Sequence, residues 1–157
     1  MAACPDAGRV LSLGCATGDE LVSLRKRFPL AEIVGVDINA EVLSVASLKA
    51  ASDGNMLTRS NTTELEEETF DLIFCLSVLC SYPLRRSRPK LPFDIFEKAV
   101  VDVVRLLAPG GYLVVYNAQY LLDDVPDVRL LLQPCWKICR HPSTFVTNFP
   151  VFRAGRF

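Results

Sequence analysis

Residues 11–20 read LSLGCATGDE: an apolar, strand-like run breaks into small residues and then turns acidic. A glycine turn between a strand and a helix is a place where backbone comes close to a ligand. Upstream of it, residues 9–13 (RVLSL) make a short apolar strand. Downstream, Leu21, Leu24 and Phe28 recur at helical spacing until Pro29 stops the helix, and residues 33–36 (IVGV) form a second apolar run ending at Asp37. Two continuously apolar runs joined by an amphipathic helix predict buried parallel strands in one strand-helix-strand unit.

The alternation continues along the chain. Asn39 is placed to cap a second helix with Val42, Val45, Ala46 and Lys49 on one face, and a weak third strand is expected near Met56 to Arg59. Glu64 to Glu68 reads as a solvated connector, after which Phe70-Asp71 opens the strongest strand, LIFCLSVLC, expected to be buried and central. Residues 81–92, SYPLRRSRPKLP, form a loop by their proline content. Phe93, Phe96, Val100, Val103, Val104 and Leu107 then mark one face of a helix, and Pro109-Gly110-Gly111 is expected to end it before the strand YLVVY. Such alternation implies an α/β fold with a doubly wound sheet. Beyond Asn117 the pattern is poorer, and a last strand is expected around Thr144 to Phe152.

Half of the 157 residues are hydrophobic, enough for a substantial core in one domain. Seventeen Lys and Arg against eighteen Asp and Glu give a formal charge of -1, which supplies no global field for nucleic acid or an anionic membrane. The N-terminal MAACPDAGRV lacks a basic region followed by a long apolar segment, and no apolar run approaches the ~18 residues a membrane span needs. A cytoplasmic protein with no membrane partner is the expectation. Of the six cysteines, Cys15, Cys75 and Cys80 lie within or beside apolar runs, where a reduced thiol behaves as a small hydrophobe.

The turn itself discriminates among ligands. A dinucleotide site favours Gly-x-Gly-x-x-Gly, whereas Ala16 occupies the second glycine position and the spacing is Gly14-x-x-x-Gly18. Thr17 and Glu20 stand three apart, as in a capping box, and Asp19 complements the helix dipole. These carboxylates disfavour a pyrophosphate. A cationic ligand with a ribose fits better, and Asp37 at the second strand's end can accept both ribose hydroxyls.

VLSLGCATGDE, IVGVDIN, FDLIFCLSVL and LLAPGGYLVVYN stand in the order and spacing of the motifs of class I S-adenosylmethionine-dependent methyltransferases, which the chain resembles over residues 9–120. The resemblance implies a Rossmann-like, mostly parallel sheet in three α/β/α layers, short at its C-terminal strands. It also implies a single domain over 1–157, with 121–157 as a variable C-terminal segment. S-adenosylmethionine is the implied cofactor. Gly14, Cys15, Ala16, Thr17 and Gly18 would form the turn against its methionine portion, Asp37 would hold the ribose, Ile38 would pack on adenine and Asn61 would approach the adenine edge. Cys75, Leu76 and Ser77 would end the fourth strand near the methyl group, with Ser77-Val78 at the reaction site. The chain departs from the family pattern at Ser12, where many members are acidic, and at Ala16, where glycine is usual. Against the same pattern, the expectation is no lid helix before residue 9 and short terminal antiparallel strands.

Other features have plainer readings. Arg85, Arg86, Arg88 and Lys90 could recognise an anionic group on an acceptor, although a solvated loop is the simpler account. Cys135, Cys139 and His141 offer three metal ligands without a second matching pair, so no metal is expected. His141 is the single histidine and hence the one candidate imidazole base, while Trp136, Phe145, Phe149 and Phe152 could wall a pocket or cover a core edge.

Methyl transfer from a sulfonium asks mainly for positioning, so the lack of an obvious base does not argue against an enzyme. SVLCSYP lacks the Asn/Asp-Pro-Pro-aromatic signature of methyltransferases acting on DNA bases or glutamine. A small-molecule acceptor is therefore the expectation, with nucleic acid disfavoured. A catalytically inactive cofactor-binding or scaffold module is the competing reading, and an NAD-linked oxidoreductase a weaker third.

Overall fold

The computed structural model describes residues 6–81 and 91–128. The chain divides into two compact units, one made of Met1–Leu76 with Leu106–Val115, the other of Ser77–Arg105 with Tyr116–Phe157.

The first unit is built on a five-stranded sheet of β1 (Arg9–Leu13), β2 (Glu32–Val36), β3 (Met56–Arg59), β4 (Phe70–Leu76) and β5 (Leu107–Tyr116), in the order β3-β2-β1-β4-β5. Parallel pairing joins β1 to β2 with Leu11 opposite Val34, β1 to β4 with Leu11 opposite Ile73, and β2 to β3 with Val34 opposite Leu57. The β4–β5 pair runs the same way: Phe70 N–H donates to Leu106 O at the start of β4 and Ser77 N–H to Tyr116 O just past its end. Progression outward from β1 to β3 and then back to β4 places a topological switch between β1 and β4. In an open parallel sheet, ligands bind beyond the carboxyl ends of the strands at that point.

Helices α1 (Asp19–Arg27) and α2 (Ala40–Ala50) connect β1 to β2 and β2 to β3. Leu21, Leu24 and Phe28 bury against Val10, Ile33 and Leu72, joined by Ala46, Ala50 and Met56. The residues of opposite parity, Leu11, Val34, Ile73 and Cys75, are buried as well, which is why these strands read as continuous apolar runs.

Asn39 caps α2 as expected, its side chain accepting from Glu41 N–H at 3.0 Å. The buried face of α2 keeps Ala46 of the expected set and adds Ala50, while Val45 is 41% exposed. The reason is close approach: a Cβ on Gly18 would lie 3.0 Å from Ala46 Cα, so only a small residue fits there. Helix α3 (Phe93–Arg105) also stops earlier than expected, and Pro109-Gly110-Gly111 belongs to β5. Among the described residues β5 is the last strand in the sheet order, a position that tolerates proline. Gly111 is required because a Cβ there would lie 3.0 Å from the carbonyl oxygens of Phe70 and Asp71. The acidic connector is more ordered than a solvated loop, with a 3-10 turn over Thr62–Leu65 and Glu68 paired to Arg9.

In the second unit, α3 buries Phe96, Val100, Val101, Val103 and Val104, and the rings of Phe93 and Phe96 each lie 5.2 Å from that of Tyr120. Buried Gln119 accepts from Leu91 N–H at 3.2 Å and donates to Leu91 O at 3.3 Å. Among the described residues no helix is long and apolar enough to cross a membrane.

Candidate functional site

Past β1 the chain reverses through Gly14 to Gly18. Gly14 and Cys15 both donate their N–H to Val36 O, at 2.7 and 3.0 Å, and Gly18 N–H closes onto Cys15 O at 2.9 Å. Positive φ angles at Gly14 (73°), Ala16 (46°) and Gly18 (82°) produce the turn. Glycine adopts such angles freely, whereas Ala16 is an L-residue held in the left-handed region, a conformation that concentrates at functional sites.

Asp37, just past the end of β2, completes this turn. Its Oδ2 accepts from Ala16 N–H at 2.9 Å and its Oδ1 from Asn39 N–H at 2.9 Å. A carboxylate has about four lone-pair positions, so each oxygen keeps capacity for a further donor such as a ribose hydroxyl. Ile38 follows with 90% of its surface exposed, a β-branched apolar side chain with no core to join. The side chain of Asn61 is committed locally: its oxygen accepts from Thr63 N–H at 3.0 Å and Glu64 N–H at 3.3 Å, capping the 3-10 turn, while Nδ2 donates to Ser60 Oγ at 3.0 Å.

The expected capping box does not form. Gly18 is the N-cap of α1 and makes no side-chain cap, Thr17 donates to Asp19 Oδ2 at 3.2 Å, and Glu20 turns back to accept from Ser12 Oγ at 2.9 Å. A buried hydroxyl without a partner is costly, and Ser12 is fully buried, so the carboxylate is drawn to it. The departure at Ser12 is thus accompanied by a carboxylate from the helix. Burial raises the Glu20 carboxyl above its ordinary range, against the lowering effect of the Ser12 bond. Asp19 is instead lowered by hydrogen bonds from Lys49 and Thr17, with Lys49 Nζ at 2.6 Å.

The cysteine side chains of the turn and of β4 are packed inside the first unit. Cys15 and Cys75 are buried, and desolvation pushes their thiols to about 11 and about 12, so neither offers a thiolate nucleophile at neutral pH. Cys15 contributes to the turn through its backbone. Leu76 ends β4 within the first unit.

In the second unit, Ser77 and Asn117 follow the ends of β4 and β5. Both carry positive φ, 61° and 59°, and Asn117 Nδ2 donates to Ser77 Oγ at 2.9 Å. The serine hydroxyl therefore keeps its own proton for another acceptor. Sequence reasoning named Ser77 but missed Asn117, which YLVVYN had presented as the residue after a strand. The basic loop at 85–90, Cys135, Cys139, His141 and the aromatic cluster at 136–152 lie outside the described residues. No metal-holding group of three or more His, Cys, Asp or Glu occurs among the described residues.

The turn fits a cationic nucleoside better than a dinucleotide. Its acids are Asp19, Glu20 and Asp37, and Lys49 is already paired to Asp19, leaving no cation for a pyrophosphate among these residues. Comparison with known proteins agrees. The family model described as a methyltransferase domain matches residues 11–115. Demethylmenaquinone methyltransferase of Thermus thermophilus is 35% identical over 107 residues, covering 68% of this chain and 46% of that protein. A tRNA (guanine-N(7)-)-methyltransferase of Chloroflexus aurantiacus is 28% identical over 95% of this chain and 67% of its own length. Among solved structures, an amino pentose methyltransferase from Micromonospora echinaspora with bound S-adenosylmethionine is 30% identical, with a TM-score of 0.55, over 73% of this chain and 44% of that one. The chain spans about half the length of the first curated relatives it matches. With the glycine turn, the strand-end aspartate and the family model in agreement, the chain belongs to the class I S-adenosylmethionine-dependent methyltransferases.

Proposed function

We propose that the chain binds S-adenosylmethionine at the β1–α1 turn and transfers its methyl group to a small-molecule acceptor. The observation that carries this reading is the Asp37 carboxylate, fixed against Ala16 with lone pairs to spare beside the exposed Ile38. In it, Asp37 accepts the ribose hydroxyls, Ile38 covers one face of adenine and the backbone from Gly14 to Gly18 lies along the methionine portion. The second Nδ2 proton of Asn61 remains for the adenine edge. Leu76, with Cys75 through its backbone, ends β4 towards the methyl group.

When bound, the cofactor supplies an activated methyl group on a good leaving group. The chain's part is to orient and to exclude water. Within the second unit, Ser77 Oγ accepts from Asn117 and keeps its own proton for a hydrogen bond to a substrate oxygen or nitrogen. The buried free thiols of Cys15 and Cys75 accord with a cytoplasmic setting.

A second reading, an RNA acceptor, draws on the tRNA methyltransferase aligned over 95% of the chain, and the charge of -1 weighs against it. Calorimetric titration with S-adenosylmethionine, beside NAD and an Asp37→Ala control, tests the cofactor. A methyl-transfer panel of small molecules and tRNA tests the acceptor. Binding with no turnover on either class would favour the inactive module, and transfer to tRNA alone would overturn the small-molecule reading.

A further inference from the structure

We propose that Glu20 is the counter-charge for the α-ammonium of the cofactor's methionine portion, with Ser12 as the positioning residue that aims its carboxylate. This rests on the cofactor site proposed above and extends it to a residue outside the turn.

Three carboxylates surround the glycine turn, and two are engaged. Asp19 is paired with Lys49 Nζ at 2.6 Å, and both oxygens of Asp37 accept backbone N–H groups at 2.9 Å. Glu20 differs. It is on the first turn of α1 yet bends back to the sheet, where Ser12 Oγ donates to Oε1 at 2.9 Å. Among the described residues no lysine, arginine or histidine forms an ion pair with it; the acids so paired are Glu32, Glu68, Asp53, Asp19, Glu64 and Asp102. A partly buried carboxylate without a cation is costly, and the cost is offset when a ligand brings the cation.

Its location supports the same assignment. The negative charge of Glu20 is felt by both the Cys15 thiol in the turn and the Cys75 thiol near the end of β4. Ser12, which holds that carboxylate, stands opposite Gly35 on β2 and Phe74 on β4, on the strand beside the topological switch where open parallel sheets bind ligands. Ser12 is fully buried in β1 and its hydroxyl has this acceptor. It locks one carboxylate oxygen and leaves the other for an N–H donor. A cationic amine thus meets a fixed, half-desolvated partner, the setting in which a charge-assisted hydrogen bond is strongest.

The test separates the amino-acid portion from the nucleoside. S-adenosylhomocysteine carries the ammonium, whereas 5′-methylthioadenosine keeps adenine, ribose and sulfur without it. Calorimetry with both ligands on the full chain, Glu20→Gln and Ser12→Ala is expected to show S-adenosylhomocysteine weakened tenfold or more by Glu20→Gln and severalfold by Ser12→Ala. Affinity for 5′-methylthioadenosine should stay within twofold for both variants. The deaminated analogue of S-adenosylhomocysteine should bind the parent chain and Glu20→Gln alike, which excludes a purely structural effect of the substitution. Equal losses for all three ligands, or no loss for S-adenosylhomocysteine, would overturn the assignment of Glu20 and leave the cofactor site standing. A folded parent chain that binds none of them would overturn both. Should Glu20→Gln not fold, the parent chain decides: the deaminated analogue binding as tightly as S-adenosylhomocysteine would overturn the assignment, and weaker binding would support it.

Discussion

Asp37 and Ala16 are joined across the β1 and β2 ends by one hydrogen bond, Asp37 Oδ2 accepting from Ala16 N–H at 2.9 Å. The aspartate therefore has two tasks, holding a turn whose alanine sits at φ 46° and presenting its remaining lone pairs outward. Replacing it should affect ligand and turn together. Asp37→Ala is expected to weaken S-adenosylhomocysteine at least tenfold, since hydrogen bonds to a charged group contribute about 1.5–3 kcal/mol. Calorimetry reads the affinity and circular dichroism confirms the fold; unchanged affinity would remove Asp37 from the site.

Ala16 itself is a sensitive position. A left-handed conformation costs an L-residue ~1–2 kcal/mol, and glycine gives back about 0.5–1 kcal/mol through its freer unfolded state. Ala16→Gly should leave Tm unchanged or raise it slightly. Ala16→Val should lower it by several degrees, because a β-branched residue is poorly accommodated at positive φ. A scanning calorimeter decides between these outcomes, and equal melting of both variants would mean the turn relaxes.

Gly35 is a packing constraint behind the turn. A Cβ there would meet Leu21 Cδ1 at 2.7 Å and Cys15 Sγ at 2.9 Å, both in a filled core. Gly35→Ala is expected to cost about 1–3 kcal/mol by overpacking, or ~2–4 °C of Tm per kcal/mol at this chain length. Chemical denaturation with an unchanged midpoint would show that Leu21 and Cys15 move aside freely.

The Glu20 carboxyl gives a pH signature. Burial holds it above its ordinary range, so the folded chain binds that proton more tightly than the unfolded chain does. The stability this adds is full below the ordinary carboxylate value and is lost as pH rises through the raised one. At neutral pH the ionised group is a burden on the fold, and Glu20→Gln should melt higher than the parent. The advantage should vanish below about pH 4, where both are neutral. A parent chain that melts higher than Glu20→Gln at pH 7 would contradict this.

Asn117 combines positive φ with its bond to Ser77. Asn117→Gly keeps the backbone and loses the bond, whereas Asn117→Ala loses the bond and retains the strain. The glycine variant should be the more stable, by up to about 1 kcal/mol. If Ser77 is oriented through this bond, both variants should reduce kcat for methyl transfer with little change in cofactor affinity. Parallel losses in the two quantities would point to a role in folding only.

The amino-acid sequence by itself determined the parallel strands, the helices between them, the glycine turn and the aspartate at the end of β2. These are local features: continuous apolar runs, helical periodicity and turn chemistry are written in neighbouring residues. Only the tertiary structure decided where the carboxylates go. Thr17 and Glu20 have capping-box spacing, but a fully buried Ser12 hydroxyl eight positions earlier offers Glu20 a stronger claim than the helix end does. The buried face of α2 was likewise settled by Gly18 approaching Ala46, not by the more apolar Val45. Proline and two glycines suggested a helix stop, yet they lie in β5, the last strand among the described residues, where Gly111 fits against the carbonyls of Phe70 and Asp71. In each case the deciding contact joins residues distant along the chain or on different elements, and its energy exceeds the local preference that sequence alone displays.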